Sequence, residues 1–225
     1  MAGDLGLVAL PLPTGALLMA LDYAAVAVFA VTGALVASRS QLDVVGFVFI
    51  ACLTAVGGGT LRDVILDRPP LWVSDPLTLL VASVAAVLVF FGAHRLESRY
   101  RALEWVDALA LAVAVPAGVG VAQAAGMGWP VVLVMGMITG CMGGLMRDVV
   151  CNEVPMVLKQ GELYVTCAFA GAAVAVVLAG LGLSGAGPLV ACAAVVLVLR
   201  AGSLALGWRL PVYRSRPPRS SAPKR

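Results

Sequence analysis

Seven apolar stretches follow one another almost without interruption along this 225-residue chain. Each is close to the roughly 20 residues that a helix needs to cross a hydrocarbon core about 30 Å thick. They run over residues 16–37, 44–66, 76–93, 104–125, 129–151, 163–182 and 187–208. Connections this short leave no room for a soluble domain, so any function must be built from the helices or from the C-terminal tail. Composition agrees, with 61% hydrophobic and 12% charged residues, where a soluble domain carries roughly 25% charged. An all-α membrane protein with seven transmembrane helices is expected.

Lys and Arg set the orientation. If the spans alternate, one side holds Arg39, Arg95, Arg99, Arg101, Arg147, Lys159 and the basic tail, whereas the other holds only Arg62 and Arg68. This predicts an N-terminus outside and a C-terminus in the cytoplasm, as a multi-pass protein of a bacterial-type inner membrane. The N-terminal segment 1–15 carries Asp4 and no basic residue, so it lacks the cationic start of a cleaved signal peptide and is expected to stay in the mature chain. The tail, 209–225, is basic and rich in Pro and Ser, and reads as disordered; it fixes topology and offers charge to anionic lipid headgroups.

Cys52, Cys141, Cys151, Cys167 and Cys192 form no metal-ligand spacing and read as small hydrophobes. His94 beside Arg95 reads as a solvated interfacial residue, Tyr164 as an aromatic anchor at the start of span six, with a place lining an entrance as the alternative, and Asp75–Pro76 as the capped start of span three. There is no serine–lysine pair, zinc-ligand helix or nucleotide loop, so neither an enzyme, a cofactor nor a nucleic-acid partner is expected.

The chain also repeats itself. Shifted by about 85 residues without a gap, it lays Asp22 on Asp107, Gly33 on Gly118, Thr54 on Thr139, Gly58 and Gly59 on Gly143 and Gly144, Arg62 and Asp63 on Arg147 and Asp148, and Pro70 on Pro155. The matches include the rare polar residues and not only Ala and Val, which recur by chance in apolar chains. Each unit holds three spans, and an odd number makes the second unit enter the bilayer from the opposite side. The expected division is a first repeat over 16–100, a second, inverted repeat over 101–185, and a seventh helix over 186–208.

Gly57, Gly58 and Gly59 lie a little past the middle of span two, and Gly143 with Gly144 at the matching place in span five. Consecutive glycines weaken a helix by about 1 kcal/mol each relative to Ala, so both spans are expected to break there, near the midplane. Irregular backbone at that depth requires a polar cavity or burial in protein. The competing reading is close helix packing, which Gly136 and Gly140 also suit. Arg62 falls about 6 Å past the first break, where facing lipid is costly. Adjacent residues on a helix diverge by about 100°, so Arg62 and Asp63 are expected to look to other helices. Asp22 enters from the same side at a comparable depth, which predicts a pair between Asp22 and Arg62, repeated as Asp107 with Arg147. A purely structural salt bridge is the alternative role.

The two copies, GGGTLRD and GGLMRDVVCNEVP, resemble the prokaryotic members of the trimeric intracellular cation (TRIC) channel family, whose bacterial relatives are also described as glycine transporters. The resemblance covers residues 17–208. It implies a homotrimer with an hourglass pore inside each subunit, conducting potassium and other monovalent cations, sodium among them. On that pattern Gly57–Gly59 and Gly143–Gly144 are hinges, and Arg62, Asp63, Arg147 and Asp148 stand beside the pore with Asp22 and Asp107 as counter-charges. Met142 departs from the glycine triplet, which implies a weaker second bend. The residues alone leave the permeant species open. A broken helix offers carbonyls to a cation and amides to an anion, which suits a channel for potassium or a carrier for a zwitterion such as glycine.

Overall fold

The computed structural model describes residues 15–95 and 98–212. Residues 1–14 of the N-terminal segment and the tail beyond residue 212 lie outside the described residues. Eight helices follow in order: α1 Gly15–Arg39, α2 Val44–Ile65, α3 Leu71–Ser74, α4 Leu77–Gly92, α5 Arg99–Ala124, α6 Trp129–Val150, α7 Val165–Gly180 and α8 Gly187–Leu206. Short 3-10 turns cover Ala93–Arg95 and Met156–Leu158. Local chemistry starts and stops them: Asp43 accepts from Gly46 N at 2.8 Å to cap α2, Pro130 sits in the first turn of α6, and Gly207 ends α8 at φ 70°.

Six helices among the described residues are long and apolar enough to cross a membrane. The sixth expected span, 163–182, folds as a helix of only 16 residues, α7, about 24 Å long. Its first residues are held outside the helix: Leu163 N donates to Ser203 Oγ (3.4 Å), and Leu163 O receives Arg200 Nη1 (3.5 Å). Residues 209 and 210, placed by sequence in the disordered tail, are paired instead. Arg209 forms an antiparallel bridge with Glu162, and Leu210 N donates to Gly161 O at 2.9 Å. Backbone pairing to the α6–α7 loop orders a stretch that its composition alone marks as loose.

The α5 helix is the axis of the molecule. Of its 26 residues 15 are buried, against three of the 16 of α4, so α4 turns mostly outward and α5 is enclosed by α1, α6, α7 and α8. Small residues make this density attainable: Ala108, Ala110, Ala112, Ala114, Ala117, Gly118, Gly120 and Ala122 of α5 are all buried.

Neither α2 nor α6 breaks at its glycines, contrary to the expectation from the sequence. Both are continuous α-helices from end to end. The glycines serve the crossing of these two helices: a Cβ on Gly58 would collide with the carbonyl oxygen of Thr139, and a Cβ on Gly143 with that of Thr54. Since Gly58 matches Gly143 and Thr54 matches Thr139 in the repeat, the contact is reciprocal, as at an interface built on a two-fold axis. A missing Cβ weakens an isolated helix, but in lipid it is repaid in van der Waals contact when a second backbone comes close enough to use the space. The threonines keep the crossing polar-satisfied by bonding back within their own helices, Thr54 Oγ1 to Ile50 O (2.6 Å) and Thr139 Oγ1 to Met135 O (2.7 Å). Gly136 and Gly140 pack in the same manner, against Val119 and Val115 of α5.

Candidate functional site

Two charged clusters flank the α2–α6 crossing, one per repeat, and the chain builds them alike. Arg62 and Arg147 lie in the last turns of α2 and α6, where a cation complements the negative end of the helix dipole. Each helix then stops on a residue in the left-handed region, Asp67 at φ 53° and Asn152 at φ 54°, residue types that tolerate it. The turn is closed by Arg68 N to Asp63 O and by Glu153 N to Asp148 O, each 2.8 Å. This reversal returns the next segment to the helix end. Leu71 N donates to Asp63 Oδ2 at 3.2 Å, and Met156 N to Asp148 Oδ2 at 2.9 Å.

The other oxygen of each aspartate holds the arginine. Arg62 Nε donates to Asp63 Oδ1 and Arg147 Nε to Asp148 Oδ1, both at 2.8 Å. This corrects the expectation that adjacent Arg and Asp cannot serve each other. The backbone vectors do diverge, but the long arginine side chain curls so that Nε meets the neighbouring carboxylate while the far nitrogens reach another helix. Arg62 Nη1 lies 2.8 Å from Asp22 Oδ1 of α1, and Arg147 Nη1 lies 2.9 Å from Asp107 Oδ1 of α5. Each cluster therefore sets two carboxylates around one guanidinium, a formal excess of one negative charge.

The surroundings of the two clusters differ. Around the first, a cavity of about 30 Å³ is lined by Asp22, Phe29, Gly58, Gly59, Thr60, Arg62, Trp72 and, from the second repeat, Ala114 and Thr139. That is room for about one water. The Asp22 side chain keeps 14% of its surface exposed, whereas that of Asp107 keeps none. Trp72 of α3 closes one side of the cavity and donates from Nε1 to Thr60 Oγ1 at 3.0 Å. Asp75, which caps α4 through Leu77 N at 3.2 Å, also accepts from the hydroxyl of Tyr23 and ties α1 to the same connection.

Around the second cluster stand residues that sequence reasoning placed elsewhere or passed over. Tyr164 is not an interfacial anchor; it is 2% exposed. Its hydroxyl, Arg147 Nη2 and Asp107 Oδ1 lie 3.3, 3.6 and 3.7 Å from the place a Cβ on Gly144 would take. Arg200 of α8 is fully buried, with its guanidinium 5.0 Å from the centre of the Tyr164 ring and Nη1 3.2 Å from Glu162 Oε2. The signal for Arg200 was present in the sequence as one charge inside the run ACAAVVLVLR, since an ionisable residue within a span marks a site by default. Cys141, Cys167 and Cys192 are buried and free, as small hydrophobes. His94 is exposed in the turn after α4.

The profile of a family described as "Glycine transporter" matches the chain twice, over residues 19–94 and 104–180, once per repeat and at the repeat's own offset. Among solved structures, the orthologue of the TRIC trimeric intracellular cation channel from Rhodobacter sphaeroides superposes with a TM-score of 0.82 at 40% identity, over 84% of this chain and 98% of that one. The chain belongs to the TRIC family. Relatives of this TRIC protein include the UPF0126 inner membrane protein YadS of Escherichia coli (strain K12), 40% identical over 156 residues, which are 67% of this chain and 73% of YadS. A UPF0126 membrane protein of Vibrio cholerae is 35% identical over 203 residues, 88% of this chain and 83% of that protein. This TRIC protein thus carries its two charged clusters at the ends of α2 and α6, one within each of the two stretches that the family profile matches.

Proposed function

We propose that the chain is a channel for monovalent cations, permeable to potassium, with its pathway inside one subunit between two inverted repeats. The pathway follows the α2–α6 crossing and passes the Asp22–Arg62–Asp63 and Asp107–Arg147–Asp148 clusters. The observation that carries this reading is the water-sized cavity at Asp22, beside a cluster whose formal charge is one unit negative. A site with two carboxylates to one guanidinium attracts a cation and repels an anion. In this reading the arginines narrow the path and the aspartates supply its field. Similarity to a TRIC cation channel gives further support. Three copies assemble, each with its own pathway, by analogy with that trimeric relative. Nearly all basic residues outside the spans lie on the side of the C-terminus, which favours a cytoplasmic C-terminus and an outside N-terminus.

A carrier for glycine is the second reading, favoured by the guanidinium and carboxylate that face one cavity and would match the two ends of a zwitterion. Room for about one water is too little for its five heavy atoms unless the site opens. Recording from purified protein in a planar bilayer separates the two. The channel reading expects unitary potassium currents that fall in Asp22→Asn and change in Arg62→Ala; saturable, electrically silent glycine uptake with no unitary events would overturn it.

A further inference from the structure

The two repeats place the same groups at the same offsets, yet only one cluster opens onto space. Gly59 and Gly144 are equivalent in the repeat. At Gly59 an added Cβ would meet nothing closer than Arg62 Nη2 at 3.9 Å, because the cavity lies there. At Gly144 the same Cβ would meet the Tyr164 hydroxyl at 3.3 Å. The tip of Tyr164 therefore stands in the second repeat where the first repeat has its cavity. The hydroxyl lies among Asp107 and Arg147, and neither it, Arg147 Nη2 nor Asp107 Oδ2 makes a hydrogen bond of full geometry.

A buried phenol whose hydroxyl is not bonded at full geometry gains little at that end to fix its place. Something must hold it. Arg200 does so from over the ring: its guanidinium carbon lies 5.0 Å from the ring centre, a cation–π contact strengthened by exclusion of water. Arg200 also binds the segment that carries the tyrosine, through Leu163 O (3.5 Å) and Glu162 Oε2 (3.2 Å). Its Nε and Nη2 have no hydrogen-bond partner among the described residues, and the guanidinium stands over the π face. Three elements thus meet at this ring: α6 through Gly144 and Arg147, α5 through Asp107, and α8 through Arg200.

We propose that Tyr164 is the gate of the second-repeat half of the pathway, and that Arg200 is the positioning residue that keeps it shut. When the ring leaves, Asp107, Arg147 and Gly144 face a space equivalent to the first-repeat cavity, and water reaches Arg147 Nη2 and Asp107 Oδ2. The stable closed state and the hydratable open state are then two positions of one side chain. This rests on the channel reading above for its electrical consequence, and on the geometry alone for its effect on water access.

Two measurements test it on the full-length protein in lipid. In bilayer recordings, Tyr164→Ala is expected to raise open probability about tenfold, the scale of one lost anchoring interaction. Arg200→Gln should raise it several-fold with unitary conductance unchanged, because Arg200 touches the ring and not the path, and Arg200→Lys should restore much of the closed state by returning a cation to the ring. Tyr164→Phe keeps the ring and its stacking and guards against misfolding of the alanine variant; it should stay closed. In parallel, Gly144→Cys is reacted with Ag⁺, a thiol-reactive ion small enough for a water-sized space, with Gly59→Cys as the hydrated reference and the parent protein as background. Reaction at Gly144→Cys should be slow and should quicken about tenfold when Arg200→Gln is added, without any requirement for current. Unchanged open probability and unchanged Gly144→Cys reactivity in both Tyr164→Ala and Arg200→Gln would overturn the gate while leaving a conducting parent as a channel. Absence of current in every variant, with Gly144→Cys still governed by Arg200, would overturn the channel and keep the barrier.

Discussion

The first and second repeats share an Arg–Asp dipeptide, a reaching aspartate, a left-handed turn residue and a backbone amide returned to the carboxylate. Their surroundings differ. Asp22 looks into a cavity framed by Thr60 and Trp72, whereas Asp107 is sealed beneath Tyr164, with Arg200 behind it. Position 60 of the first repeat corresponds to Leu145 of the second, and Trp72 to Val157, so the polar frame of the cavity has no counterpart. The charged cluster is made by residues within one repeat, the reaching aspartate standing 40 positions before the arginine in both copies, and survives duplication unchanged. What faces it is made by residues that the two copies do not share, including a helix, α8, that belongs to neither.

Stability should show this difference most strongly at the arginines. Arg147→Ala leaves two carboxylates buried with no cation and should cost about 3 to 5 kcal/mol. Arg62→Ala should cost clearly less, because water in the cavity reaches Asp22. Unfolding free energies measured in lipid or detergent decide the matter, and equal losses would mean that the cavity does not hydrate its carboxylate.

The crossing itself is expected to be symmetric. Gly58→Ala and Gly143→Ala each drive a methyl group into the opposing carbonyl and should destabilise by about 1 to 3 kcal/mol, by similar amounts. A loss at one position only would break the reciprocity of the α2–α6 contact. Gly59→Ala and Gly144→Ala should part company on a smaller scale. The first enters open space and gains up to about 1 kcal/mol of helix propensity; the second gains less, because the Tyr164 hydroxyl stands 3.3 Å away. Equal shifts in thermal midpoint would remove the distinction between an open and a filled site.

An effect of similar size is expected at Trp72→Phe, which removes the indole bond to Thr60 Oγ1 at about 0.5 to 1.5 kcal/mol. Its sharper consequence is loosened closure of the cavity. A faster reaction of Gly59→Cys with a thiol reagent would report it, and an unchanged rate would place the wall of the cavity elsewhere.

Much of this was legible before any coordinates. Long apolar runs dictate helices in lipid, because every backbone group there must bond within its own segment. The offset between Asp22 and Asp107, and between Arg62 and Arg147, marked which charges would share a depth, and depth limits an intramembrane arginine to few partners. Arg62 meets Asp63 although the two backbone directions diverge, because an arginine side chain is long enough to curl back and serve two carboxylates at once.

The glycines show where sequence stops. Gly57–Gly59 have one local chemistry, low helix propensity and no side chain, and it serves a break and a close crossing equally well. The outcome is decided by whether a second backbone arrives within contact distance, and that is a property of α6, not of α2. The residue at Tyr164 reads as an interfacial aromatic for the same reason: its position along the chain is fixed locally, but its burial depends on Arg200, which joins it only when α8 packs against α5 and α7. Helix spans, repeat and charge pairs follow from chemistry within and between matched segments. Closure of one half and not the other follows from contacts between unmatched segments, where no periodicity or offset in the chain carries the information.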